Sequence, residues 1–165
     1  MPVVRISCPL GSLSREQKAQ IAESLTQIVL DVEVDAVTDA GRMVTVVQFH
    51  EAAPENWAVG GQLRSPDASG PNHFIVELIV LQGLLDGSRR TDAHRRVTQA
   101  FADALGAADP LAMMRVWVLI HEVREGSWGA GGMTVSALDV ASFLSADLSA
   151  ARRDEITAAL APKLA

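Results

Sequence analysis

The sequence predicts an α/β fold in which two β-α-β units form one four-stranded sheet with two helices on one of its faces. Three observations support this prediction: a short sequence pattern occurs twice, each copy alternates between strand and helix periodicity, and one predicted strand is apolar almost throughout. The 165 residues suit a single domain, residues 1–165, which is large enough to bury a core.

The repeated pattern is a histidine–glutamate pair that is followed by a tryptophan and a glycine pair. The first copy runs from His50 to Gly61 (HEAAPENWAVGG), and the second runs from His121 to Gly132 (HEVREGSWGAGG). The shared residues all lie 71 positions apart, as His50 and His121 do. Identities in one register at so many positions indicate a duplication within the chain.

The first copy of the unit reads as a strand, a helix and a second strand. Residues 2–8 form an apolar run, Gly11 marks a turn, and residues 43–50 form the second strand. Ser14 and Gln17 have the spacing of a capping box at the start of the helix. The buried face of this helix is predicted from an apolar stripe: Ile21, Leu25 and Ile28.

The second copy follows the same order of elements. Its strands are predicted over residues 73–81 and 114–121, and Thr91 is predicted as the N-cap of its helix. An apolar stripe again defines the buried face of the helix: Val97, Phe101 and Leu105.

The repeat sets the boundaries along the chain. Repeat one covers residues 2–62, a turn-rich linker covers 62–72, and repeat two covers 73–133. The tail, residues 134–165, is predicted to be partly helical and is assigned to packing or to an oligomer arm. A helix there would have a serine cap and an apolar stripe: Ser145 or Ser149, with Leu148, Ile156 and Leu160.

The predicted sheet is expected to need a partner. Each β-α-β unit implies parallel strands with a right-handed crossover. The strand from Phe74 to Leu81 is almost continuously apolar, which is typical of strands that are covered on both faces. Because two helices cover only one face, we expect a homo-oligomer.

Composition excludes several classes of protein. The net charge of −6 argues against a nucleic-acid binder, and no apolar stretch approaches the roughly 20 residues of a membrane span. The N-terminus lacks a secretory-signal pattern, and the lone Cys8 with four scattered His gives neither a disulfide nor a metal framework. We therefore expect a cytoplasmic protein without a metal site, in which the repeated His–Glu pairs form turns.

The combined pattern resembles 4-oxalocrotonate tautomerase and its relatives. The resemblance rests on the initial Met-Pro, a strand, a helix opening near Glu-Gln-Lys, a second strand, and aromatic-x-x-Gly-Gly, and it covers residues 2–62 and 73–133. Fused double units are typical of the branch with cis-3-chloroacrylic acid dehalogenase and malonate semialdehyde decarboxylase. The resemblance implies a trimer of fused units that interconverts enol and keto forms of a small 2-oxo acid without a cofactor.

The resemblance assigns acid–base catalysis to Pro2, which becomes a secondary amine when Met1 is removed. An α-amino group titrates near pH ~8, and burial lowers its pKa because the cation loses hydration. Such an amine can take a proton and return it elsewhere. The equivalent position in the second copy, His73, lies in mid-chain, so one site per chain is expected. The alternatives are that Met-Pro is an incidental start, or that Met1 stays and leaves Pro2 as a non-basic amide.

Arginine residues bind the substrate carboxylate in this family. Ser12 stands where the family has an Arg in the first strand–helix turn, and Arg89 and Arg90 are placed at the equivalent turn of the second copy. Arginine offers a planar bidentate fork for a carboxylate. The sequence does not decide between these two arginines, and a solvated pair at a helix start is the alternative.

Further binding residues come from the second strands and the repeated aromatic positions. The family's second-strand Arg is replaced by Val46 in copy one and by Trp117 in copy two, where Arg115 is a possible substitute. The repeated tryptophans, Trp57 and Trp128, align with the aromatic residue that walls the pocket in relatives. Core or subunit-interface packing explains these tryptophans equally well.

Departures from the family keep other functions open. The dehalogenase branch has a His where this chain has Val29, and a water-activating Glu where it has Ala130. Decarboxylases of the family need an acidic group near the proline, and Glu51 and Glu122 are available. The alternatives to a tautomerase are therefore a hydratase, dehalogenase or decarboxylase on the same scaffold, or a non-catalytic oligomeric binder of small molecules.

Overall fold

The computed structural model describes residues 2–64, 72–107, 109–144 and 148–161. The strands are β1 (Val3–Pro9), β2 (Val46–Ala52), β3 (Ala58–Val59), β4 (Gln62–Leu63), β5 (Phe74–Leu81), β6 (Val116–Val123), β7 (Gly129–Ala130) and β8 (Met133–Thr134). The helices are α1 (Arg15–Val34), α2 (Asp39–Val44), α3 (Gly87–Leu105), α4 (Pro110–Met113), α5 (Ala137–Leu144) and α6 (Ala150–Leu160), and a 3-10 turn covers Pro54–Asn56.

Four strands form one mixed sheet in the order β2-β1-β5-β6. Strands β1 and β2 are parallel, as are β5 and β6, while the two units meet where β1 and β5 run antiparallel. Each parallel pair is connected through a long helix, α1 or α3, and these two helices pack against each other. The predicted fold class, a four-stranded sheet of two β-α-β units, is confirmed.

The repeated glycine pairs form the turns of two small hairpins. Strands β3 and β4 are joined by Gly60 and Gly61, and β7 and β8 by Gly131 and Gly132. All four glycines have φ between 58° and 81°. A two-residue hairpin turn with positive φ at both positions strongly favours glycine, which explains why the pair recurs in both copies.

The helix starts differ between the copies. At α1 the capping box is present, because the Ser14 side chain accepts from the Gln17 backbone and the Gln17 side chain accepts from the Ser14 backbone. The prediction of Thr91 as the second N-cap is wrong. Asp86 caps α3 by accepting from the backbone N–H of Arg89 at 2.8 Å, so the helix begins a turn earlier. The Thr91 hydroxyl instead donates to the carbonyl of Gly87.

Two apolar clusters hold the molecule together. The first lies between the sheet and the two long helices, and it contains the predicted residues Ile21, Leu25, Val97 and Phe101. The second surrounds the end of β5 and is closed by α5 and α6, which both fall within the tail. Its fully buried large side chains are Leu30, Leu81, Leu84, Leu144 and Ile156.

The tail and the linker are described in part. Ser149 caps α6 by accepting from the backbone N–H of Arg152 at 3.1 Å. The alternative cap Ser145, Met1 and residues 65–71 of the linker lie outside the described residues. Within the described ranges, no helix is long and apolar enough to cross a membrane.

The sheet face opposite the helices is only partly covered in a single chain. Along β5 the side chains alternate, so that Phe74, Val76 and Leu78 are buried while Ile75 and Glu77 are half-buried. On the same open face, Val46 at one edge and Trp117 at the other are 44% and 56% exposed. This surface is apolar enough to be covered by a partner.

Candidate functional site

Pro2 lies buried immediately before the central strand β1. Its carbonyl accepts a hydrogen bond from the Val46 N–H at 3.2 Å. The β1–β5 register pairs Val3 with Ile79 and so brings Pro2 beside Val80, which is in turn paired with Glu122 of β6. We call this end of the sheet, where β1 begins and β5 and β6 finish, the Pro2 end. Alternation along β1 places Pro2 on the helix-covered face, as it does Val4.

Three of the predicted binding residues lie at the Pro2 end. Arg89 and Arg90 belong to the first turn of α3, which follows β5. Trp128 follows β6 and packs against the second apolar cluster. The fold therefore brings these three side chains to the Pro2 end of the sheet.

The other three predicted binding residues lie at the opposite end of the sheet. The Arg115 carbonyl accepts from the Phe74 N–H at 2.8 Å, at the start of β5. Trp117 is level with Ser7 through the strand register, and Trp57 follows β2, whose last residue pairs with Pro9. Ser7 lies five positions after Pro2 along the strand, which is about 16 Å. Within one chain these residues do not meet Pro2, so a role for them requires a second copy of the chain.

The strand–helix turn of the second copy carries no arginine. The N-caps Ser14 and Asp86 are equivalent, and counting back two positions from each matches Ser12 with Leu84. Leu84 is fully buried in the second apolar cluster. Arg89 and Arg90 therefore lie inside helix α3, three and four residues after its cap, rather than in the turn where the sequence had placed them.

Arg89 is held by several partners. Its guanidinium forms a bidentate pair with Asp35, with N–O distances of 2.7 and 3.0 Å, and it donates to the Val32 carbonyl at 3.1 Å. These hydrogen bonds lower the pKa of the Asp35 carboxyl group, against the effect of partial burial. Asp35 is the C-cap of α1 with a left-handed φ of 56°. Arg89 thus ties the end of α1 to the start of α3.

Arg90 takes part in an ion pair that occurs in both copies. Its Nη2 lies 2.8 Å from Glu122, and the equivalent residue of the first copy, Lys18, lies 2.7 Å from Glu51. The Glu51 carboxylate also accepts from the Gly11 N–H. The repeated glutamates therefore fasten the end of each second strand to the start of its helix.

The repeated histidines lie on the open face of the sheet. His121 contacts the Glu77 carboxylate at 3.0 Å, and His50 lies 3.5 Å from the Gln48 side chain. In the part of the chain that the structure describes, no three His, Cys, Asp or Glu residues are grouped so that they could hold a metal ion.

The structure adds two buried charged residues, Glu33 and Arg152. Glu33, in the last turn of α1, is fully buried, and neither of its carboxylate oxygens has a hydrogen-bond partner. Arg152 of α6 is 4% exposed and donates to the carbonyls of Glu33 (2.8 Å) and Leu84, and to the Glu155 carboxylate at 2.8 Å. A signal for Arg152 was present in the sequence, because it lies four residues from both Leu148 and Ile156 of the apolar stripe.

Burial dominates the electrostatics of Glu33. It raises the pKa of the carboxyl group from 4.5 to about 7, while the positive charges of the amino terminus and Arg152 act in the opposite direction. The sequence signal for Glu33 was its place between two valines in an otherwise apolar final helical turn. Both residues lie with Leu84 at the Pro2 end.

An apolar groove of about 440 Å³ adjoins this region. It lies between the end of α2, the β7–β8 hairpin and α5, and its walls include Val44, Met133, Val140 and Phe143. Val44 is two residues from Val46, whose N–H binds the Pro2 carbonyl. A mostly apolar groove beside a few polar groups is the usual form of a small-molecule site.

Comparison with known proteins agrees with this architecture. The family model described as tautomerase enzyme matches residues 2–65. No curated protein sequence matches the chain. Among solved structures, the fold is similar to native fused 4-OT, with a TM-score of 0.64 and 18% identity over 80% of this chain and 94% of that one.

Two further structures have the same fold. A member of the cis-3-chloroacrylic acid dehalogenase family, N1, has a TM-score of 0.66 and 18% identity, covering 94% of this chain and 99% of that one. Macrophage migration inhibitory factor of Toxoplasma gondii has a TM-score of 0.57 and 16% identity, covering 81% and 99%. Residues 2–65 thus match the tautomerase family model, and the chain as a whole has the fold of these fused 4-OT-like structures, with two β-α-β units.

Proposed function

We propose that this protein is a cofactor-independent keto–enol tautomerase of a small 2-oxo or enol carboxylic acid, with Pro2 as its acid–base group. The observation that carries the proposal is the place of Pro2: it lies buried at the start of the central strand of a fused tautomerase fold, at the same end of the sheet as the arginines of α3. Removal of Met1 makes Pro2 a secondary amine at this position.

The proposed reaction moves one proton and needs no other group. The neutral Pro2 nitrogen takes the proton of the enol hydroxyl, the carbonyl forms as the C=C electrons move, and the Pro2 ammonium returns a proton to carbon. The chain has no Tyr and a single Cys that could act in place of Pro2. Burial raises the pKa of the Cys8 thiol to about 11, which makes it a poor base at neutral pH.

Two measurements on purified protein test this proposal together. Intact mass shows whether Met1 is absent, and ultraviolet absorbance follows the ketonisation of phenylenolpyruvate and 2-hydroxymuconate. We expect loss of one Met and catalysed ketonisation of at least one of these enols. A protein with Pro2 exposed that accelerates neither reaction would support the non-catalytic binder instead.

Arg90 is the stronger candidate for the carboxylate clamp. It is 44% exposed and has one described partner, Glu122, while Arg89 is held by Asp35 and a backbone carbonyl. We expect Arg90→Ala to lower kcat/KM for a 2-oxo acid about ten- to a hundredfold, since a charge-assisted pair contributes roughly 1.5–3 kcal/mol. Steady-state kinetics on folded variants measures this effect.

Arg89→Ala is the matched variant for the same experiment. Because Arg89 ties α1 to α3, we expect its loss to lower the thermal unfolding temperature more than the loss of Arg90 does. If Arg90→Ala has wild-type kinetics, the clamp lies elsewhere. Arg115 or Arg64 of a neighbouring copy would then be the next residues to substitute.

The open face of the sheet supports a homo-oligomer, and fused 4-OT structures form trimers. Val46, Trp117 and Leu119 leave apolar surface on that face, whose burial favours association. We expect sedimentation velocity at micromolar concentration to give a species larger than a monomer, with the mass of a trimer. A single monomeric species would contradict this prediction.

A dehalogenase is the second candidate function, because the similarity to the N1 structure covers 94% of this chain. Two positions argue against it: Val29 is fully buried in the core, and Ala130 lies in the β7–β8 hairpin without a group that could activate water. We expect no chloride release from cis-3-chloroacrylate above the uncatalysed rate. Chloride release at a rate comparable with tautomerisation would reverse the order of the two candidates.

A further inference from the structure

Glu33 is a buried carboxyl group for which the described structure offers no hydrogen-bond partner. It is 0% exposed, and both of its oxygens are unpaired. An ionised carboxylate in such a place is costly unless a cation is close or the group takes up a proton. Packing alone does not explain a glutamate here, because the neighbouring helix positions are filled by valine.

The position of Glu33 connects it with the start of the chain. Since β1 and β2 are parallel, α1 runs back across the sheet and its last turn lies over the beginning of β1. Leu30 and Val34 of this turn belong to the same apolar cluster as Leu81, which adjoins the β5 residue beside Pro2.

Arg152 provides a second buried charge at this place. Its guanidinium spans the carbonyls of Glu33 and Leu84, and its Nε atom has no hydrogen-bond partner. Leu84 occupies the turn position where the resemblance places a substrate-binding arginine. The C-terminal helix α6 therefore brings a cation to the end of α1 that the second strand–helix turn does not supply.

We propose that Glu33 is a positioning residue for Pro2: its buried carboxyl group shares one proton with the Pro2 amine and sets the pH at which that amine becomes a base. In this step the proton passes from the Pro2 ammonium nitrogen to a Glu33 carboxylate oxygen, which leaves a neutral amine and a neutral carboxyl group. The inference rests on the proposed function, since it concerns the same amine.

Other charged groups near the last turn of α1 are already engaged. On the elements packed against this turn, Arg89 forms an ion pair with Asp35, Glu155 with Arg152, and Arg42 with Glu23. The Asp139 carboxylate accepts a hydrogen bond from the Ser136 hydroxyl. Most of these carboxylates are more than half exposed, so solvent screens them. Glu33 and Arg152 are the two charged side chains that the described structure buries almost fully.

The pairing predicts a specific change in how Pro2 titrates. An ionised Glu33 stabilises the Pro2 ammonium, so the two groups titrate as a coupled pair. Glu33→Gln removes that negative charge and keeps the shape of the side chain. We expect the apparent pKa of Pro2 to fall by about one unit in this variant, because the loss of a nearby opposite charge lowers the pKa of an amine by that order.

The experiment measures the amine directly and does not require activity. Protein with Pro2 exposed is made by co-expression with a methionine aminopeptidase and checked by intact mass. Acetylation by a low concentration of acetic anhydride is followed against pH by mass spectrometry of the tryptic peptide from Pro2 to Arg5, which contains no lysine. The acidic limb of kcat/KM is recorded on the same samples.

Matched variants separate the role of Glu33 from general effects. Glu33→Asp keeps a carboxyl group and should titrate closer to wild type than Glu33→Gln does. Glu23→Gln removes an exposed carboxylate from the same helix and should leave the Pro2 profile unchanged. If Glu33→Gln fails to fold, Glu33→Met replaces it: this variant also removes the carboxylate, so the profile should shift in the same direction.

The outcomes distinguish the inference from the proposed function. A lower Pro2 pKa in Glu33→Gln, with a parallel shift of the acidic limb, supports both. A shifted acetylation profile in a protein without tautomerase activity supports the control by Glu33 and refutes the tautomerase. An acetylation profile of Glu33→Gln that superimposes on wild type overturns the inference, whether or not the enzyme is active.

Discussion

Blocking the Pro2 nitrogen is expected to abolish tautomerase activity while the fold stays intact. An amide or alkylated nitrogen at this position cannot take up and return the proton, and the chain has no Tyr to replace it. The block can be made by retaining Met1, which makes Pro2 a tertiary amide, or by reductive alkylation. The loss is measured as kcat/KM for phenylenolpyruvate, and circular dichroism with sedimentation shows that the protein is still folded and associated.

Pro2→Ala is the partial variant for this experiment. After removal of Met1 it presents a primary amine in nearly the same place, so activity should fall but remain measurable. The ordering of rates is therefore wild type, then Pro2→Ala, then the blocked protein at background. If the blocked protein ketonises the enol at the unblocked rate, Pro2 is not the acid–base group and the proposed function must be assigned to other residues.

Glu33→Gln is expected to make the protein more stable at alkaline pH, by about 3 kcal/mol. Burial raises the pKa of this carboxyl group from 4.5 to about 7. The stability that the protonated group contributes is therefore present below pH 4.5 and is lost as the pH rises to about 7, since the unfolded chain ionises first. Glutamine does not titrate, so the variant keeps what the wild type loses.

Urea denaturation at fixed protein concentration, at pH 4.5 and at pH 8, measures the difference between the two proteins. The gain of Glu33→Gln over wild type should grow between these two pH values. Glu23→Gln, on the exposed side of the same helix and paired with Arg42, should show no such growth. If the unfolding free energies of wild type and Glu33→Gln depend on pH in the same way, the buried carboxyl group does not cause the loss of stability at alkaline pH.

The sequence predicted those elements whose physical cause lies within a few neighbouring residues. The Ser14 capping box and the stripe of α1 could be predicted because both depend on residues three or four apart in one helix. Thr91 was not the N-cap, because Asp86 offers a carboxylate oxygen at the correct spacing one turn earlier. When two residues could cap a helix, the sequence does not show which of them has the extended backbone that an N-cap needs.

The candidate site likewise has a part that the sequence predicts and a part that depends on the tertiary structure. Pro2 could be predicted because its chemistry depends on its position in the chain. The grouping of Arg89, Arg90 and Trp128 with Pro2, and the separation of Arg115, Trp117 and Trp57 from it, depend on the antiparallel contact between β1 and β5. That contact reverses the direction of the second unit, and no feature within either repeat encodes it.

The sequence by itself determined the duplication, the β-α-β order of each copy, the recurrence of the glycine pair and the one proline that can become an amine. These features depend on residue identity and on spacing within a few turns or strands. Only the tertiary structure decided that Glu33 and Arg152, 119 positions apart, meet beside Leu84 at the Pro2 end. Burial is the physical reason that these two residues matter. A carboxylate and a guanidinium are well hydrated in water, and each costs free energy when packing removes that hydration.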